Sequence, residues 1–132
     1  MKYNLDCVRD ILFLLENAQT LSPELEICEV HLEEIASQLD DYKLNEIANT
    51  LIILDEAGFI IANTFYADNC INTILVSRIT YDGYQFLESI RPETVWHKVK
   101  SIGDKIGSFS MDAVSQIAVS VITSLINAQL CL

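Results

Sequence analysis

The side chains of this 132-residue chain that could do chemistry are two histidines, four cysteines and 19 carboxylates. Cys28 and His31 are close enough for two zinc ligands, but there is no CxxC and no second ligand pair accompanies them. No metal is therefore expected, and Cys7, Cys28, Cys70 and Cys131 read as small buried apolar side chains. The carboxylate pairs Glu33-Glu34, Asp40-Asp41 and Asp55-Glu56 are adjacent in sequence, so on a helix they point apart and make no acid/base dyad. His31 and His97 read as structural or exposed. The chain has no GxGxxG, P-loop, HExxH or GxSxG, so neither a cofactor nor enzymatic activity is expected.

The formal net charge is −11, with 51% apolar and 20% charged residues. That composition supports a folded core and argues against a general nucleic-acid binder, which needs Lys and Arg for phosphate. No secretory leader opens the chain and no Asn-x-Ser/Thr triplet occurs, which points to a reducing cytoplasm. Residues 113–132 carry no charge and reach membrane-span length. Yet Ser115, Gln116, Ser120, Thr123, Ser124, Asn127 and Gln129 interleave with the apolar positions at helical spacing. This predicts a helix packed on its own domain or on a symmetry partner, through Val114, Ile117, Val121, Ile122 and Leu125, and no membrane span.

These groups must be positioned by a definite run of elements. Leu5, Val8, Ile11, Leu12 and Leu15 predict a first helix over about Asn4–Ala18, capped by Asn4. Leu25, Ile27 and Val30 alternate with glutamates, which predicts a short exposed strand. A short helix follows over Leu32–Leu39, and a strong one over Leu44–Ala57, closed by Gly58. Phe59–Tyr66 and Ile71–Thr80 predict a hairpin turning at Ala67-Asp68-Asn69, with Ile74, Val76 and Arg78 on one face. Asp82-Gly83-Tyr84 opens a helix with Phe86, Leu87 and Ile90. Pro92 starts another, striped by Val95, Trp96, Val99, Ile102 and Ile106, with Gly103 and Gly107 loosening its end. Ser110 caps the last. Trp96, with Tyr81, Tyr84 and Phe86, reads as a core anchor between the hairpin and the C-terminal helices.

This order predicts an α+β chain, mostly α: a winged helix-turn-helix over 1–90 with a C-terminal helical extension over 91–132. The extension either packs on the first part, making one compact unit, or forms a dimer interface. Leu44–Ala57 takes the recognition-helix position, and the hairpin is the wing.

A recognition helix needs donors for base edges and cations for phosphates. Leu44–Gly58 contains neither Lys nor Arg. Its exposed candidates are Asn45, Glu46, Asn49 and Thr50, and the wing tip offers Asp68 and Asn69. Residues 1–90 hold 16 acids against four bases (Lys2, Arg9, Lys43, Arg78), whereas residues 91–132 hold three acids and four bases. DNA binding is disfavoured on this count, although a dimer would bring Lys43 and Arg78 of two copies together. The basic cluster Arg91, His97, Lys98, Lys100 and Lys105 suits a phosphate or an acidic partner, or else is a solvated face pairing with Glu93 and Asp104.

Ile79-Thr80-Tyr81-Asp82-Gly83-Tyr84-Gln85-Phe86-Leu87, then Ile90-Arg91 and Thr94-Val95-Trp96-His97-Lys98-Val99-Lys100, resembles domain of unknown function 2513. Asp6-Cys7-Val8-Arg9-Asp10, Leu54-Asp55-Glu56-Ala57-Gly58-Phe59-Ile60 and Tyr66-Ala67-Asp68-Asn69 extend the resemblance over nearly the whole chain. It implies a winged-helix fold and an origin in phages or prophages of Gram-positive bacteria, and it brings no catalytic residues. The expectation is a non-catalytic, homodimeric adaptor that binds a host or phage protein. Such a protein would inhibit a defence or nucleic-acid enzyme through an acidic surface that mimics DNA charge. The alternatives are a winged-helix transcriptional regulator and a small-molecule binder with a pocket between wing and C-terminal helices.

Overall fold

A computed structural model describes residues 4–107 and 110–131. The described residues form six helices and one three-stranded antiparallel sheet, an α+β and mostly helical chain. They divide into two compact units, the first ending at Tyr84 and the second beginning at Gln85.

In the first unit, α1 (Leu5–Asn17) starts where the Asn4 side chain accepts from the amides of Asp6 and Cys7. It buries Cys7, Val8, Ile11, Leu12 and Leu15 on one face. Arg9 is buried with them, its guanidinium 4.8 Å from the Phe13 ring centroid. The strand expected through Leu25 and Ile27 is absent. Ser22 closes a turn instead: its carbonyl accepts from the Leu25 amide, its amide donates to the Glu26 carbonyl, and its hydroxyl accepts from the Glu26 amide. Leu25 is left-handed at φ +69° and 77% exposed, so alternation fails there. Only β1 (Val30–His31) reaches the sheet.

Helix α2 (Leu32–Gln38) and helix α3 (Leu44–Glu56) pack on each other, with Leu32, Ile35, Ile47, Leu51 and Leu54 buried. Gly58 (φ +80°) then turns the chain into β2 (Ile60–Ala67). Asp68 and Asn69, both at positive φ, make the two-residue turn into β3 (Cys70–Ile79), whose outer neighbours are β1 and β2. The register places Ile61 opposite Arg78 but Ala62 opposite Val76, so Ser77 is a bulge. That bulge shifts the alternation, and Ile79 is buried with Ile74 and Val76 while Arg78 faces out. The expected place of Arg78 on the Ile74–Val76 face is thereby corrected.

Helix α4 (Tyr81–Ile90) runs from the first unit into the second. The Thr80 hydroxyl accepts from the Gly83 amide at 3.1 Å and donates to the Gly58 carbonyl. A Cβ at Gly83 would collide with the Phe59 carbonyl and the Ile79 side chain. The second unit also holds α5 (Glu93–Ile106) and α6 (Met111–Leu130), which pack on each other. Pro92 is the N-cap of α5 rather than its first residue, and Gly107 ends it in the left-handed region. Val95, Trp96, Val99 and Gly103 are its buried stripe. Ile106 is exposed. The Ser110 hydroxyl caps α6 through the Ala113 amide.

Substituting Gly83 by Ala forces a methyl into a backbone carbonyl that cannot rotate away. We expect a loss of about 2–3 kcal/mol. Gly58→Ala, with open space around it, should lose only the left-handed penalty of about 1 kcal/mol. Urea melts of both variants measure the difference.

Candidate functional site

The outward face of α3 and the β2–β3 hairpin are where the candidate interaction residues lie. Asn45 is exposed and Asn49 half-buried, and one and two helical turns on from Asn49 stand half-buried Ile52 and exposed Glu56. Leu44 opens the helix 56% exposed. Glu46 is occupied: its carboxylate accepts from the Lys43 amide at 3.2 Å, closing the helix start. Thr50 is corrected outright. It is 1% exposed, its hydroxyl donates to the Glu46 carbonyl at 2.7 Å, and no base or partner can reach it.

Asp68 and Asn69 are exposed at the hairpin tip. Beside them stand Phe65, Tyr66 (72% exposed) and Ile71, an apolar group that charge counting did not single out. Tyr66 and Ile71 are cross-strand partners beyond the second bulge, at Asn72. At the hairpin base carboxylates hold neutral donors. The Thr73 hydroxyl donates to Glu33 at 3.0 Å, the Ser77 hydroxyl to Glu29 at 3.4 Å, and the Ala62 amide to Asp55 at 3.2 Å. Among the described residues 4–84 the cations are Arg9, buried, and Lys43 and Arg78, exposed; Arg78 donates to the Ile79 carbonyl at 3.2 Å. Lys2 lies outside the described residues.

The basic cluster is dispersed among local pairs. Arg91, half-buried in the link between α4 and α5, bonds Glu88 at 2.7 Å, and His97 lies 3.5 Å from Glu93 on the exposed surface of α5, while Lys98 and Lys105 are exposed and Lys100 half-buried. In α6, Val114 and Val121 are buried, Ile117 and Ile122 half-buried, and Leu125 exposed; Ala118 completes the buried stripe. By length and composition this helix suffices to cross a membrane. Trp96 and Phe86 are buried, but Tyr81 and Tyr84 are exposed. Among the described residues no three His, Cys, Asp or Glu side chains group as metal ligands.

The cysteines depart from expectation: Cys7 alone is buried, and Cys28, Cys70 and Cys131 are exposed thiols in the turn, hairpin and C-terminal end. Burial pushes the Cys7 thiol above its ordinary range, the Thr50 hydrogen bond opposes this, and Glu46 and Asp10 add to it. Burial likewise raises Tyr42, whose hydroxyl donates to Asp10 at 2.7 Å. We expect three thiols to react readily in the folded protein and Cys7 only on unfolding. Above pH about 9 the unfolded chain loses the Cys7 proton while the folded chain keeps it, so stability should fall as pH rises through 9–11. Tyr42→Phe should flatten the upper part of that fall in urea melts.

The family model of a hypothetical protein, domain of unknown function 2513, matches residues 2–110. An uncharacterized protein of Haemophilus influenzae is 26% identical over 127 residues, covering 96% of this chain and 99% of that protein. No solved structure matches the chain.

Proposed function

This chain belongs to the domain of unknown function 2513 family, and we propose that its first unit is a winged helix that binds a protein rather than DNA. The order α1, β1, α2, α3, β2, β3 with the sheet order β1-β3-β2 supports the winged-helix reading. On that reading α3 is the recognition helix and the hairpin is the wing.

One observation carries the choice of partner: residues 4–84 present two exposed cations, Lys43 and Arg78. A good duplex binder makes about 6–10 phosphate contacts. In their place α3 and the hairpin offer Leu44, Asn45, Ile52, Glu56, Phe65, Tyr66 and Asp68. Apolar and aromatic side chains rimmed by acids suit a protein surface that carries Lys and Arg. The protein acts without catalysis, in the cytoplasm, in a phage or prophage setting. Its target is a host or phage protein whose nucleic-acid-binding face accepts an acidic mimic.

Two measurements test this. Anisotropy titrations with duplexes from the region upstream of its own gene, at about 50 mM salt, should show no sequence-specific binding. A photo-crosslinking residue at Tyr66 or Asn45 should trap a discrete protein adduct in bacterial cells, lost on Glu56→Arg with Ile52→Asp. Specific duplex binding would reverse the assignment.

A further inference from the structure

Helix α6 carries two apolar stripes. Val114, Ala118 and Val121 are buried, where α6 packs on α5. Val119, Ile122, Ile126 and Leu130 lie roughly 120° around the helix from them, at about 100° per residue. Val119, Ile126 and Leu130 are 57%, 51% and 78% exposed. With 14 residues α5 spans about 21 Å, and with 20 residues α6 spans about 30 Å. The distal part of α6 therefore outruns its neighbour, and from Thr123 to Cys131 every residue is exposed.

We propose that this second stripe is a self-association surface, covered by the same stripe of a second copy laid antiparallel across a two-fold axis. This does not rest on the protein-binding reading of the first unit.

Charge selects the occupant. Two chains of net charge −11 repel over most of their surface, and residues 1–90 hold 16 of the 19 acids. After Asp112 the sequence of α6 has no charged residue, so two copies of this helix meet without burying a charge or opposing like charges. A two-fold contact is self-complementary, and one stripe suffices for both partners. A bilayer fits worse, because Gln116, Ser120 and Asn127, on the side of the helix opposite the buried stripe, would enter hydrocarbon. A single helix pair lies near the low end of stable interfaces, about 1,200 Å² in total. Dimerisation is therefore expected at about micromolar concentration.

Sedimentation equilibrium of the full chain over about 1–100 µM should give a mass that rises with concentration towards twice the 14.9 kDa chain mass. Ile126→Glu should return the mass to one chain with unchanged helical circular dichroism, since Ile126 is half exposed within its own fold. Ser124→Glu, exposed and roughly 155° around the helix from the stripe, should leave the dimer intact. A single-chain mass for the wild type at every concentration overturns the proposal, as does a dimer indifferent to Ile126→Glu. Flotation with phosphatidylethanolamine–phosphatidylglycerol vesicles is the third arm. Vesicle binding by a monomer, lost in Ile126→Glu, assigns the stripe to a bilayer and overturns the dimer.

Discussion

Thr80 and Phe59 tie together the ends of four chain segments. The Thr80 hydroxyl donates to Gly58, which follows α3, and accepts from Gly83, in the first turn of α4. The Thr80 amide donates to the Phe59 carbonyl at 2.9 Å, and the Phe59 amide to Leu54 at 2.9 Å. The end of α3, the start of β2, the end of β3 and the start of α4 thus meet at one point. Both glycines follow from that convergence. Gly58 supplies the left-handed reversal, and Gly83 lacks the side chain that would strike the Phe59 carbonyl. The Thr-x-x-Gly spacing is therefore a cap and a close approach in one device. It fixes the hairpin against α3, so Tyr66, Asp68 and the outward face of α3 share one frame.

Five carboxylates of this unit accept from neutral donors. Glu46 takes a helix-start amide, Asp55 the Ala62 amide of an edge strand, Glu29 and Glu33 take hydroxyls of β3, and Asp10 takes the Tyr42 hydroxyl. Part of the negative charge at the hairpin base thus has a structural role, and the surface cannot be made basic there without loosening the sheet.

Most of the fold was legible because it follows from periodicity and punctuation. Asn4, Gly58, Asp68-Asn69 and Ser110 mark ends with chemistry that a sequence displays directly. What was not legible depends on tertiary geometry. The Ser77 bulge moves Arg78 outward and Ile79 inward, and nothing in the alternation of β3 announces an extra residue. Thr50 looks like a polar residue on an exposed helix face, but its hydroxyl can return to the Glu46 carbonyl and its methyl can pack inward. Leu25 alternates with glutamates like a strand residue, yet the Ser22 turn places it at positive φ. Of the candidate surface, Asn45, Asp68 and Asn69 were legible as exposed polar positions. Tyr66 and Ile71 were not, because an apolar residue near a hairpin end reads as core until its burial is known.

If α3 and the hairpin bind a protein as proposed, their mixture of side chains sets which partner is favoured. Against a duplex, Leu44, Ile52 and Tyr66 would face phosphate and gain nothing by leaving water, while Glu56 and Asp68 would oppose it. Against a protein, burying the apolar members is worth about 25 cal/mol for each Å². Carboxylates at the rim add little to that free energy in high dielectric, but they raise the encounter rate with a basic face and disfavour acidic ones. Affinity would thus reside in Tyr66, Phe65 and Leu44, and selection of a basic partner in Glu56 and Asp68. The two terms separate experimentally, since salt screens the second and leaves the first nearly untouched.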